Sequence, residues 1–496
     1  MGVQLWHKAL PVNMLSILLS MLSSLACRID KLVLASACSG SDIFMKVSNC
    51  VLSYYNTQHN LSFRSEHAMA VEVVAKKQRF LKTQCPGLKH LFDNVDVLGS
   101  LRAPCLKTFT NVVILESNVF VSGFSCTRRS KQNNSRSTFK DCLQHMVECQ
   151  TTATFFSILN HLLLMKPMLV ILEHVADLLE KAEESLMSDA GFVMTALKKA
   201  GYSFARHFIM EAQESGSISR RKRLYFLAIR MQDCMMPHIS AAELFAQNLL
   251  SSMRTTTGDA SNFIDMVYCK PDLASNVPPP KVSRDYANYK EVHESLYLEH
   301  ALQWPPSLAD LAAFRVRDIR SRRAHELAYY CHMRFTIHEL PSCTRNRALF
   351  LYGNLSLERL TGWPTPVHNP WSLLMPTIKS HSTILVRYVV DDEIIIRELS
   401  VQEYMHMMGW SESMWASETP TYVITDRELA VSLVGNAFSG FSVGLVYVTG
   451  LALAGMRPEH LGLVTVASDK CEASDSESES ANCDSLGYSS TVYSSS

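Results

Sequence analysis

Between residues 31 and 233 the chain alternates short apolar runs with longer stretches of helical periodicity. Few architectures accept that order. It is the pattern of an α/β fold, a parallel sheet whose strands are joined by crossover helices. The strand-like runs are Leu32 to Ala37, Leu61 to Ser65, Val119 to Ser122, Met168 to Leu172, Tyr202 to Phe208 and Leu224 to Ile229. Helical patterns lie between them over His67 to Lys82, Phe155 to Met165 and Asp189 to Ala200, the last stopping at Gly201 as a helix terminus should.

The alternation fails near Asp233. Residues 234–384 hold a proline run (Pro278, Pro279, Pro280) and scattered aromatics without a steady period. Two strand-like runs then follow, Ile384 to Val390 and Glu393 to Glu398, joined by the turn-prone pair Asp391-Asp392. Helical patterns over Val401 to Met408 and Arg427 to Leu453 complete the body. We therefore expect an N-terminal helix in 1–30, the first part of the main domain in 31–233, an irregular inserted segment in 234–384 and a return to the main domain in 385–467. A disordered tail is expected in 468–496.

Charge and cysteine usage narrow the function. The 496 residues balance at a net charge of +0, but the Ser-rich tail carries six acids (Asp469, Glu472, Asp475, Glu477, Glu479, Asp484) against Lys470. Without it the body has 46 basic and 41 acidic residues, an excess that permits a nucleic-acid partner without demanding one. A collagen-like, a wholly disordered or a strongly basic DNA-coating chain is excluded. The 14 cysteines form no Cys-x-x-Cys pair, which disfavours a zinc finger and a disulfide scaffold and points to a reducing compartment. The apolar stretch Met14 to Ala26 is too short to span a bilayer. It reads either as a packed helix, which we favour, or as the core of a signal peptide.

Several positions carry chemistry. The first strand runs into Cys38-Ser39-Gly40-Ser41-Asp42, where small residues let a nucleotide-like ligand approach the backbone. By itself a glycine there is more often a simple turn. Glu66 ends the second run, in the place where an acid holds ribose hydroxyls; taken alone, it reads first as a helix-start acid. After the strand at 119–122 comes Gly123-Phe124-Ser125-Cys126, with Arg128, Arg129 and Lys131 beyond. A thiol beside cations can be held partly as thiolate, although most cysteines are inert core residues. The next strand ends in Glu173-His174-Val175, where a partly desolvated carboxyl can share a proton. Arg220, Arg221, Lys222 and Arg223 then lead into an apolar strand.

In order and spacing this set resembles the C5-cytosine-specific DNA methyltransferase family over about residues 31 to 455, as a divergent member. The turn at Cys38, Ser39 and Gly40 resembles the first S-adenosylmethionine motif. Glu66 matches the ribose-binding acid, and Asp93-Asn94-Val95 falls near the adenine-contacting motif. Gly123 to Cys126 resembles the Gly-Phe-Pro-Cys loop of the nucleophile, Glu173-His174-Val175 the Glu-Asn-Val motif, and Arg221 and Arg223 the pair in Gln-x-Arg-x-Arg. Arg397-Glu398-Leu399-Ser400 with Glu403 and Met408-Gly409-Trp410 resembles the ninth motif. Gly435-Asn436-Ala437 resembles the Gly-Asn-Ala/Ser that closes the cofactor pocket. Departures are Ser125 for proline, His174 for asparagine, Ser219 for glutamine, Cys38 for phenylalanine and Asp42 for the second glycine. A carboxylate at position 42 would repel the ligand's own carboxylate or attract its amino group.

The resemblance implies a Rossmann-like, S-adenosylmethionine-dependent sheet with an inserted target-recognition domain. Cys126, Glu173, Arg221 and Arg223 would be catalytic, and Cys38, Ser39, Gly40, Glu66, Asp93, Asn94, Asn436 and Ala437 would bind the cofactor. No metal is implied. The product would be C5-methylcytosine in DNA, formed through a covalent Cys126 adduct on a flipped-out base. The alternatives are the same chemistry on RNA, or a relative that binds cofactor or nucleic acid without turnover. Arg315, Arg317, Arg320, Arg322, Arg323, Tyr329, Tyr330 and Trp363 are candidate nucleic-acid contacts, or equally an exposed helix face. We expect a monomer without membrane contact, and a nuclear location following from the substrate.

Overall fold

The computed structural model describes residues 2–38, 40–126, 142–182, 185–231, 233–255, 284–313, 316–317, 322–335, 347–353, 370–378, 383–390, 393–410, 427–435 and 437–460. Its centre is a seven-stranded, mostly parallel sheet. In chain order the strands are β1 (Leu32–Ala37), β2 (Ser65–Val71), β3 (His90–Phe92), the separate hairpin β4 (Arg102–Pro104) and β5 (Asn111–Val113), β6 (Val119–Gly123), β7 (Leu169–Val175), β8 (Phe204–Glu211) and β9 (Lys222–Ile229). The large sheet runs β3-β2-β1-β6-β7-β9-β8, and β9 alone is antiparallel to its neighbours.

Parallel strands covered on both faces need apolar residues on both faces. Side chains accordingly divide by parity. Leu32 and Leu34, Val119 and Val121, and Leu169 and Ile171 enter one core. Ala35 and Ala37, Phe120, and Val170 and Leu172 enter the other. The first core is roofed by α2 (Val12–Arg28), α3 (Ile43–His59) and the helix Gly440–Gly455; the second by α5 (Gln150–Met165) and α6 (Asp189–Lys199).

Three expectations change here. The N-terminal segment forms two helices, α1 (Gly2–Ala9) and α2, and α2 buries Met14, Ile17, Leu18, Met21, Leu22 and Leu25. The second strand lies later than its sequence pattern, at Ser65–Val71, and the following helix is α4 (Ala75–Gln84), not His67 to Lys82. Ala68-Met69-Ala70 favours helix intrinsically, but its place between β1 and β3 overrides that preference. Finally, the helical run from Arg427 is broken after Gly435 and resumes at Gly440. The 440–455 segment is apolar enough, together with the turn before it, to pass for a membrane span by composition. Nearly every residue in it is buried inside the protein. At Gly455 an added Cβ would lie 2.0 Å from the Met21 carbonyl oxygen, so only glycine admits this contact with α2.

The inserted segment has its own sheet and core. Val316–Arg317, Glu393–Glu398, Ile384–Val390 and Leu349–Tyr352 pair in that order. A boundary at 384 therefore cuts this second sheet, because its two long strands lie beyond it. Tyr297, Tyr330, Trp371 and Leu385 fill the core of this unit. Tyr330 is thus a packing residue, buried against Tyr297 at 5.2 Å between ring centroids, and Tyr329 is half-buried. Arg315, Arg320 and Trp363, the side chains of Arg317, Arg322 and Arg323, and the acidic tail lie outside the described residues.

Candidate active site

A cavity of about 480 Å³ opens at the carboxyl edge of the large sheet, where the strand order reverses beside β1 and such folds bind ligands. The ends of five strands supply its wall: Cys38 and Gly40 after β1, Glu72 after β2, Asn94 to Asp96 after β3, Gly123 to Cys126 at β6, and Glu173 and Val175 on β7. Arg221, just before β9, and Arg223, on it, enter from one side, and Gly435 and Phe438 from the break between the last two helices. A larger depression of about 950 Å³ lies at the opposite edge, near Val33, Asn118, Met168 and Arg230. It contains none of the candidate catalytic residues.

The turn after β1 is held by the Cys38 N–H, which donates to the Val71 carbonyl at 3.0 Å. Cys38 and Gly40 both adopt positive φ, 52° and 66°; the glycine meets no Cβ penalty there. Burial, reinforced by Glu72, pushes the Cys38 thiol up to about 12. Ser39 lies outside the described residues. Asp42 does not face the cavity. It is buried and points at His67, with Oδ2 3.1 Å from Nε2, so neither repulsion nor attraction with a ligand's ends arises from it.

Glu66 is the clearest correction. It sits at the amino end of β2, ion-paired with Lys31 and Lys89, and these hold it below the usual carboxylate range. The acid at the carboxyl end is Glu72. Its Oε1 accepts the Val74 N–H at 2.9 Å, and its backbone is tied to Phe92 and Gln78. Burial raises its carboxyl pKa, offset partly by that N–H and by Lys77. The available signal was the Glu72 that follows Ala68 to Val71; placing the strand too early hid it. Asn94 lines the cavity and accepts the Asp96 N–H at 3.1 Å, whereas Asp93 is exposed and outside the wall.

The Cys126 loop is clamped from two sides. The Ser125 N–H, which a proline would lack, donates to Thr154 Oγ1 of α5 at 3.1 Å. His174 Nε2 lies 3.3 Å from the Ser125 carbonyl, and its ring stacks on Phe124 with centroids 4.4 Å apart. Glu173 faces the loop, with Oε1 3.0 Å from Arg223 Nε and 3.8 Å from Arg221 Nη2. Arg221 is buried and also donates to the carbonyls of Ala437 at 2.6 Å and Gly435 at 3.3 Å. Ala437 therefore acts through its backbone behind the wall, and Asn436 lies outside the described residues. Burial and the neighbouring Arg223 lower Arg221 to about 10, so it remains a cation at neutral pH. Arg128, Arg129 and Lys131 are likewise not described. In this environment burial, and then Glu173, raise the Cys126 thiol, opposed by Arg223 and Arg221. A standing thiolate is not what the geometry favours.

On the second sheet, Arg397 forms a two-pronged pair with Glu403 at 2.6 and 2.7 Å. Glu403 also accepts the Ser400 N–H at 2.7 Å, and Ser400 Oγ caps the Glu403 N–H. This reciprocal cap starts the helix Val401–Met407. The chain then turns at Gly409, φ 96°.

The sequence profile described as C-5 cytosine-specific DNA methylase matches residues 106–439, more than half of the chain. The chain belongs to the C-5 cytosine-specific DNA methylase family. Among solved structures it is similar to the S. pombe Dnmt2 methyltransferase, at 14% identity over 84% of this chain and 97% of that one, with a TM-score of 0.39. It is also similar to the Entamoeba histolytica methyltransferase EhMeth, at 12% identity over 85% and 98%, with a TM-score of 0.41. No curated protein sequence matches it. For a C-5 cytosine-specific methylase, family and fold together imply S-adenosylmethionine-dependent methyl transfer and a nucleic-acid substrate.

Proposed function

We propose that this chain methylates C5 of cytosine in DNA through a covalent Cys126 adduct. The observation that carries the reading is the meeting of Cys126, Glu173, Arg221 and Arg223 in one cavity with the turn at Cys38 and Gly40 and with Glu72. The cavity fits the cofactor by its donors: a buried carboxylate at the end of β2 suits two ribose hydroxyls, and the Cys38–Gly40 backbone suits a close approach. Cys38, Gly40, Glu72 and Asn94 would hold S-adenosylmethionine, which supplies an electrophilic methyl group when bound.

Cytosine C5 is a poor nucleophile. Addition of the Cys126 sulfur to C6 makes C5 enamine-like, and the thiol proton passes to solvent as the bond forms. Glu173 holds the N3 and exocyclic amino edge as electrons enter the ring, and Arg223 keeps that carboxyl oriented. Arg221 fixes Glu173 relative to the Gly435–Ala437 turn. Once C5 carries the methyl group, loss of its proton to solvent would expel the thiol and restore the ring. A stacked base cannot reach this cavity, so the target must flip out, at on the order of a few kcal/mol.

The test is trapping. DNA bearing 5-fluorocytosine, whose C5 substituent cannot leave as a proton, should form a denaturation-resistant adduct with wild type in the presence of cofactor, and none with Cys126→Ser. An adduct with RNA alone would overturn the DNA assignment. Measurable cofactor binding without any adduct would overturn turnover itself.

A further inference from the structure

We propose that Asp42, His67 and Cys85 form a metal site of the zinc class beneath the cofactor turn. The three residues come from separate segments: the residue before α3, the third residue of β2, and the residue that ends α4. All are buried, at 0%, 9% and 6% exposure, and their donor atoms lie within 4.8 Å of one another.

Two of the three donors already stand at the spacing of ligands on one ion. His67 Nε2 and Asp42 Oδ2 are 3.1 Å apart, and among the described residues His67 Nε2 makes no hydrogen bond. Nitrogen and oxygen bound to one tetrahedral zinc at ~2.0–2.1 Å stand roughly 3.3 Å apart. Asp42 precedes α3 in the left-handed region, φ 52°, and its carboxylate does not cap that helix, the usual task of an aspartate there. Its side chain is instead directed into the cluster.

A thiol, an imidazole and a carboxylate together suit zinc, whereas magnesium and calcium take oxygen donors alone. One position of a tetrahedral ion is left for water or a backbone oxygen. In the metal-free cluster burial and Asp42 push the Cys85 thiol up to about 12; a bound dication reverses this balance, and the coordinating thiol gives up its proton. The nearest lysines are engaged elsewhere: Lys46 donates to the Gln84 carbonyl at 2.7 Å, and Lys107 to the Leu88 carbonyl. An ion here pins Asp42, and with it the turn that begins at Cys38.

Full-length protein freed of metal by a chelator is titrated with Co2+, then challenged with Zn2+. We expect one tight site with tetrahedral visible bands and a near-ultraviolet sulfur-to-cobalt band, both lost on zinc addition. Cys85→Ser should abolish the sulfur band while Cys50→Ser and Cys105→Ser retain it. His67→Ala should weaken binding about tenfold or more. Circular dichroism verifies folding, and Asp42→Asn, nearly isosteric, replaces Cys85→Ser if that variant unfolds, with the same order of weakening expected. Folded wild type that binds no cobalt, a sulfur band indifferent to Cys85→Ser, or binding unchanged in Asp42→Asn would overturn the site.

Discussion

Cys126 and Glu173 oppose each other in the free site. The carboxylate raises the thiol, and Arg221 and Arg223 pull it down. When Glu173 engages the base, its push on the thiol weakens and the two arginines remain, so arrival of the target itself promotes thiolate formation. The alkylation rate of Cys126 in free protein should therefore rise with pH to a midpoint above the ordinary thiol value of 9.0. Glu173→Gln removes the repelling charge, so that midpoint moves down even as turnover falls by roughly 10²-fold or more. Mass-spectrometric alkylation across pH, beside methyl-transfer rates, separates the two effects; a midpoint that stays in place contradicts the coupling. Glu72 gives a second contrast. Loss of a charged acceptor is worth about 1.5–3 kcal/mol, so Glu72→Ala should weaken cofactor binding about ten- to hundredfold by calorimetry. Glu66→Ala should leave it unchanged. Glu66 and Glu72 also mark how far residue chemistry was legible: an acid ending strand two could be anticipated, but which acid depended on a register that only pairing with β1 and β3 sets.

At the scale of elements, the loop after β6 shows how the departures fit together. Proline at position 125 would rigidify the backbone but offer no N–H. Serine frees that N–H for Thr154, while His174 supplies an aromatic face for Phe124 and a ring nitrogen for the Ser125 carbonyl. A neutral hydrogen bond contributes about 1 kcal/mol, so each anchor is modest and the pair matters. Thr154→Val or His174→Ala should each lower turnover severalfold, with a larger loss in the double variant and cofactor affinity unaltered. Equal loss of cofactor affinity would show that the whole cavity, and not the loop, had shifted. The sequence pattern located β1, β6, β7 and β9 to within a few residues because their apolar runs are continuous. It missed β2, where alanine and methionine carry a buried strand, and it ran two helices together across the Gly435 break. Helical periodicity cannot register a break only a few residues long between two apolar helices.

At the scale of the whole molecule, burial of titratable groups sets how stability responds to acid. His161 on α5 is fully buried beside Phe120. Burial lowers it to about 4, offset only in part by the nearby Leu98 backbone. In the unfolded chain it titrates near 6.5, so the unfolded state binds the extra proton as pH falls between 6.5 and 4. Its stabilising contribution is therefore complete above 6.5 and is lost across that window, about 3 kcal/mol in all. Denaturant midpoints at pH 7 and pH 4.5 should differ less in His161→Phe than in wild type, and an equal difference would assign the acid sensitivity to other groups. The sequence alone determined the α/β class, the family resemblance and the choice of Cys126, Glu173, Arg221 and Arg223 as candidates, which the structure brings into one cavity, because apolar periodicity and short motifs are local properties of the chain. The tertiary structure decided which acid reaches the cavity, where Asp42 points and what holds the Cys126 loop. Those outcomes depend on strand pairing and on contacts between residues tens to hundreds of positions apart, which no local pattern encodes.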